Sequence, residues 1–177
     1  SDEDCMTLDI QLLPIADAGD DATICEDGTY TLSDATAENE SSVSWETSGT
    51  GSFDDDALLG ATYTPSAADI LLGSVTLTLT ADAITPCSQE DTDDMVLTFQ
   101  LLPVADAGDD DTVCEDASYT LSDATAENYS SVTWTTDGTG TFTDPTLIIA
   151  TYNPSADDIE AGSVELCLTA EPLTPCT

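Results

Sequence analysis

The second half of this chain repeats the first without a gap. Pro14–Cys87 aligns with Pro103–Cys176 at a constant offset of 89, and 50 of the 74 positions are identical. PIADAGDDATICEDGTYTLSDATAEN returns as PVADAGDDDTVCEDASYTLSDATAEN, and Trp45, GTGSF, ATYTPSA and GSVTLTLTA return as Trp134, GTGTF, ATYNPSA and GSVELCLTA. One unit of about 89 residues must therefore fold twice. Within each copy Tyr30–Ser33, Ser42–Glu46, Ala61–Thr64 and Ser74–Ala81 alternate apolar with polar residues and are rich in β-branched and aromatic side chains. Period-two alternation puts one face of a strand in a core and the other in water. Clusters of Gly, Pro, Asp and Asn between these runs read as turns. Several short strands per copy, with one Trp on an early central strand, predict an all-β chain of two tandem immunoglobulin-like sandwiches. The strongest helical segment, Ala67–Leu72, reads as a single turn between strands, with SADDI in the same role in the second copy.

The sandwich must form without a single cationic side chain. Of 177 residues 37 are Asp or Glu, none is Lys, Arg or His, and the formal charge is −37. Carboxylates this dense oppose a compact state unless ions screen them. Binding to DNA, RNA or an anionic membrane needs Lys or Arg against phosphate, so nucleic acid is excluded as a partner. No apolar run reaches the roughly 18–20 residues of a membrane span. Without His, Lys or Arg there is no Ser–His dyad, Schiff-base lysine or cationic oxyanion clamp, and no carboxylate pair stands out as a glycosidase site; the chain reads as non-enzymatic. Six cysteines suit an oxidising, extracellular setting. With no initiator Met and no basic signal region, the sequence reads as a mature or fragmentary product of a longer precursor.

ADAGDDATIC, a lone Trp, GTGSF, TYTPS, GSVTLTLTA and a late Cys together resemble the immunoglobulin-like and PKD-like repeats of large Bacteroidota cell-surface proteins. The resemblance covers nearly the whole chain and implies scaffolding or adhesion, as in adhesins, gliding-associated surface proteins and secreted fibres. The total lack of basic residues departs from that pattern.

The modules are out of phase with the chain. Asp94–Pro103 (DMVLTFQLLP) reads as the closing strand of the first sandwich, and its counterpart at offset 89 is Cys5–Pro14 (CMTLDIQLLP), which precedes that sandwich. The division is thus an N-terminal strand over 1–13, a first module over 14–102, and a second over 103–177 that lacks its last strand. An open edge is an association hazard. Two readings follow. Met6, Leu8, Ile10 and Leu12 insert into the second module of a neighbouring copy, as in donor-strand complementation, or the 177 residues are one period of a longer repeat. Both give a filament by head-to-tail contact; the alternative is a spacer or adhesin segment of a very large surface protein, or an arbitrary boundary.

The repeat pairs Cys25 with Cys87 and Cys114 with Cys176. Cys5 and Cys167 fall where the other copy has Asp94 and Thr78, opposite each other on the last two strands, which predicts a bond between neighbouring subunits; an intrachain pair or free thiols is the other reading. Asp17, Asp20 and Asp21, and likewise Asp106, Asp109 and Asp110, surround a Gly turn at each module entry and are candidate calcium ligands. Asn39 and Asn128 head N-x-S sequons, and Thr112 lies in a short Asp-Thr-aliphatic pattern, so covalent glycan is a further candidate. Trp45 and Trp134 are read as core, and Thr76, Thr78 and Thr80 as an ordinary solvent face.

Overall fold

The alternating runs of the sequence form strands. The computed structural model describes residues 1–177 and divides into two units, Ser1–Phe99 and Gln100–Thr177. The first contains β1 (Ile15–Asp17), β2 (Ala22–Cys25), β3 (Tyr30–Thr31), β4 (Thr36–Glu38), β5 (Glu40–Thr47), β6 (Ser52–Phe53), β7 (Thr62–Thr64), the helix α1 (Ala67–Leu72), β8 (Ser74–Ala83) and β9 (Asp91–Gln100). One sheet has the order β2-β9-β8-β5, a second β3-β7-β6, and β1 pairs with β4. Trp45, Val75, Leu77, Leu79, Met95, Leu97 and Phe99 from the first sheet pack with Tyr63 and Phe53 of the second, and with Leu32 just after β3, in one apolar cluster. The chain is an all-β pair of immunoglobulin-like modules. No helix is long and apolar enough to cross a membrane.

The second unit repeats most of these elements: β10 (Val104–Asp106), β11 (Tyr119–Thr120), β12 (Thr125–Glu127), β13 (Tyr129–Thr136), β14 (Thr141–Phe142), β15 (Thr151–Asn153), α2 (Ala156–Ala161) and β16 (Leu166–Pro172). Both Trp side chains are core, and each indole N–H donates to a backbone carbonyl, Leu59 for Trp45 and Ile148 for Trp134.

Each module is knotted around one buried carboxylate. Asp69 is wholly buried in α1 and accepts hydrogen bonds from the Thr50, Gly51 and Ser66 N–H groups and from the Tyr63 hydroxyl, at 2.8–3.0 Å. Ser66 caps the helix by accepting from the Asp69 N–H, which completes a capping box. Asp158 repeats the arrangement with Thr139, Gly140, Ser155 and Tyr152. With no cation to pair with, a buried carboxylate persists only when its oxygens are filled by donors. The GTG turn is shaped for this: a Cβ at Gly49 would collide with the Asp69 carboxylate, and one at Gly51 with the Tyr63 hydroxyl.

Burial alone pushes the Asp69 carboxyl up, but the Ser66 and Thr50 N–H groups and the Tyr63 hydroxyl outweigh it and hold the pKa at about 2. The Ser155 and Thr139 N–H groups likewise lower that of Asp158. Against an unfolded value of roughly 3.9, a depressed carboxyl contributes its full stabilisation above about pH 4 and loses it as pH falls toward 2. Asp69→Asn puts an amide donor among N–H donors and is expected to cost about 2–4 kcal/mol and to flatten the pH dependence of stability between pH 4 and 2. Urea unfolding followed through Trp45 in a Trp134→Phe background checks both, and an unchanged midpoint would contradict the role.

Candidate functional site

The main structural difference between the two modules lies at the position of the closing strand. In the first, β9 lies antiparallel to β8 with Ser74 opposite Thr98, Val75 opposite Leu97, Leu77 opposite Met95 and Thr78 opposite Asp94. Alternation sends Met95, Leu97 and Phe99 into the core, at 1%, 0% and 6% exposure. The Phe99 N–H donates to the carbonyl of Gly73, the left-handed C-cap of α1. On its other edge β9 holds the entry segment: Asp91 and Asp93 carboxylates accept the Ala16 and Ala18 N–H groups, and Asp21 accepts the Val96 N–H. Those contacts keep a constant separation of 75 residues, so β2 runs parallel to β9.

In the second module β16 pairs with β13 on one edge and has no strand on the other, where β9 lies in the first. Val164, Leu166, Leu168 and Ala170 are half-exposed, whereas their counterparts Val75, Leu77, Leu79 and Ala81 are buried. Asp111–Cys114, the counterpart of β2, forms no strand and is exposed. A groove of about 240 Å³ opens between this segment and the α2–β16 corner, lined by Val113, Cys114, Ile159, Gly162 and Val164 among others. Gly162, which lines this groove, is the counterpart of Gly73, whose carbonyl receives the Phe99 N–H of β9 in the first module.

The N-terminal segment carries the matching side chains. Met6, Leu8 and Ile10 stand at offset 89 from Met95, Leu97 and Phe99, and they are 82%, 75% and 81% exposed. Residues 1–14 form no strand. Leu12 does not belong to the inward set: its counterpart Leu101 is itself exposed on the closed module.

The cysteines depart from the expected pairing. Cys5, Cys87, Cys114 and Cys167 are free thiols, whereas Cys25 and Cys176 are disulfide-bonded. Cys25–Cys87 and Cys114–Cys176 are therefore corrected. The reason is strand direction. Cys25 lies four residues beyond Asp21, at the Phe99 end of β9, while Cys87 lies in the turn before Asp91, at the other end. Eight residues of strand separate the two ends by about 26 Å, and a disulfide needs Cα atoms within about 7 Å. Cys5 and Cys167 each donate a thiol hydrogen bond to a glutamate two residues earlier, Glu3 and Glu165. The bond to Glu165 raises the Cys167 pKa, with burial and the charges of Glu165 and Asp137 adding to it.

The acidic turns are used internally. Asp17 and Asp106 accept the Gly19 and Gly108 N–H groups, with both glycines left-handed, and Asp21 accepts from Val96; Asp20, Asp109 and Asp110 are exposed. No three acidic or cysteine side chains are grouped to hold a metal ion, so these residues offer calcium no assembled site. Asn39 and Asn128 are half-buried with φ of 58° and 55°, at the single residue linking β4 to β5 and β12 to β13. Asn tolerates that left-handed conformation better than most residues; Thr112 is exposed. The buried aspartates escaped the sequence reading, although Ser66-x-x-Asp69 and Ser155-x-x-Asp158, each downstream of a GTG turn, carry their signature.

No family model and no curated protein matches this chain. Among solved structures, protocadherin gamma B7 extracellular cadherin domains 3–6 in a cis-dimer are 10% identical, with a TM-score of 0.44 over 89% of this chain and 46% of that one. Protocadherin gamma B2 domains 3–6 are 13% identical, with a TM-score of 0.46 over 89% and 47%. Protocadherin gamma B7 domains 1–4 are 11% identical, with a TM-score of 0.45 over 91% and 49%. The chain spans about half the length of these structures.

An open module should be the weaker one. In dilute solution the Trp134 signal, isolated by Trp45→Phe, is expected to unfold at lower urea than the Trp45 signal isolated by Trp134→Phe. Coincident transitions would contradict the difference drawn between the modules.

Proposed function

We propose that this protein is a non-enzymatic structural subunit of an extracellular filament or surface fibre, in which the N-terminal segment of one copy closes the second module of the next. The observation that carries this reading is the match between two sets of residues. Met6, Leu8 and Ile10 repeat the buried Met95, Leu97 and Phe99, and the groove they would fill repeats the one that β9 fills. The polar contacts recur as well. Asp2 and Asp4 stand where Asp91 and Asp93 stand, ready to accept the Ala105 and Ala107 N–H groups. Asp110 stands where Asp21 stands, for the Thr7 N–H, and the Ile10 N–H is directed to the Gly162 carbonyl. Because a strand donated forward leaves the donor's own second module open, the contact propagates.

Cys5 of the inserted strand then lies opposite Cys167 in the register of Asp94 and Thr78. Directly opposed residues on antiparallel strands have Cα atoms about 4.5–5.5 Å apart, within disulfide range. The Cys167 pKa, raised by the hydrogen bond to Glu165, favours the thiol, so the disulfide is expected to form faster in alkaline oxidising buffer. Glycan at Asn39, Asn128 or Thr112 would decorate the fibre surface without entering the contact.

Each of Met6, Leu8 and Ile10 moves from water into a core, a gain of roughly 1.5–3 kcal/mol apiece. Leu8→Asp is expected to raise the concentration needed for assembly at least about 100-fold, read by sedimentation and by electron microscopy of negatively stained material. Leu12→Asp, at a position outside the inward set, is expected to leave it within about threefold. Equal effects of the two substitutions, or filaments from the Leu8→Asp protein, would sink the reading. Two chains of charge −37 also repel on approach, so assembly is expected to quicken when salt rises from 0.01 to 0.15 M and the Debye length falls from about 30 to about 8 Å. A rate that falls with salt would contradict an apolar contact between like charges.

A further inference from the structure

We infer that Cys114 and Cys87 form a second disulfide between successive copies of this chain, at the far end of the donated strand from Cys5 and Cys167. The inference rests on the strand-exchange reading and uses geometry inside each unit.

In the first module the entry segment and β9 keep a separation of 75 residues, from Ala16 with Asp91, through Ala18 with Asp93, to Asp21 with Val96. Moved by the repeat offset of 89, the same register sets Ala105, Ala107 and Asp110 of one copy beside Asp2, Asp4 and Thr7 of the next. Four residues further along this parallel pairing, Cys114 comes level with Gln11. The thiol of Cys87 lies against the carbonyl of Gln11 in its own chain, at 3.5 Å. The inserted strand therefore carries Cys87 with it to the wall of the groove, where Cys114 is one of the lining residues.

A second observation is independent of that register. Both are free thiols, exposed at Cys114 and half-exposed at Cys87. Their counterparts at offset 89 are Cys25 and Cys176, the two cysteines that are disulfide-bonded. The positions that are oxidised in one pair of repeats are thus the positions left reduced at the ends that meet a neighbour. The four remaining thiols divide into two intersubunit pairs, Cys167 with Cys5 and Cys114 with Cys87, one at each end of the donated strand.

The bond forms by exchange with a low-molecular-weight disulfide such as oxidised glutathione. One protein thiolate attacks it and releases one reduced thiol. The second protein thiolate displaces the other, so two protein thiols lose two protons and two electrons and one small disulfide is reduced to two thiols.

The test uses the full chain, half of it labelled with nitrogen-15, mixed, assembled and treated with oxidised glutathione. Trypsin has no site here, so the digest uses an Asp/Glu-specific protease. We expect a Cys87 peptide joined to a Cys114 peptide, with mixed isotopic pairs as abundant as random mixing allows. In a Cys5→Ser/Cys167→Ser background, covalent dimers and larger species should persist on a nonreducing gel, and adding Cys114→Ser or Cys87→Ser should reduce them at least tenfold while filaments still form. Filaments in which both thiols stay open to alkylation, or whose linked peptides carry only one label, would overturn the inference and leave strand exchange standing. Absence of both filaments and mixed pairs would overturn the two together.

Discussion

The pairing of β8 with β9 decides what each module is. Where it exists, three apolar side chains close the core, Gly73 caps both a helix and a strand, and the acidic edge of β9 holds the entry segment as β2. Where it does not, ATIC's counterpart DTVC forms no strand, although the two segments differ little in sequence. Local propensity is nearly the same in both copies. The difference is made by the neighbour that accepts the hydrogen bonds and covers the apolar face, which is how context overrides β-propensity.

A chain without cations has to place its carboxylates by other means, and the modules do so repeatedly. Asp69 and Asp158 take four neutral donors each. Asp54 accepts the Thr62 N–H, and its counterpart Thr143 accepts the Thr151 N–H through a hydroxyl, so the same donor is met with or without charge. Asp91 and Asp93 join strands as side-chain acceptors for backbone groups. No buried side-chain polar atom is left without a partner. The remaining acids lie at or near the surface, where water and ions screen them.

Much of this was legible in the sequence because it rests on period and repetition. The strands containing Trp45, Tyr63 and Leu77 fall on alternating runs, Ala67–Leu72 is the short helix, and 94–103, the counterpart of 5–14, contains most of β9. The cysteine pairing was not legible. Cys25 and Cys87 sit in one module and recur together, but equivalence in a repeat says nothing of adjacency, and the parallel course of β2 along β9 sets them at opposite ends. The internal contacts of the acidic turns were hidden for a related reason: composition cannot distinguish a carboxylate aimed at a metal from one aimed at a backbone N–H. The left-handed φ of Asn39 is likewise invisible in a string of letters. Leu12 was placed with the inward residues by continuing the alternation two residues too far, past the end of the strand.

In the proposed filament, residues 5–11 become the closing strand of the second module of a neighbouring copy. Hydrogen exchange read by mass spectrometry on the full chain, at dilute and at filament-forming concentrations, follows that change at both segments. Amides of 6–10 and of 164–170 are expected to gain protection together as concentration rises, with β8 and β9 unchanged. Protection of 164–170 while 6–10 remains open to exchange, or filaments in which neither segment is protected, would contradict it.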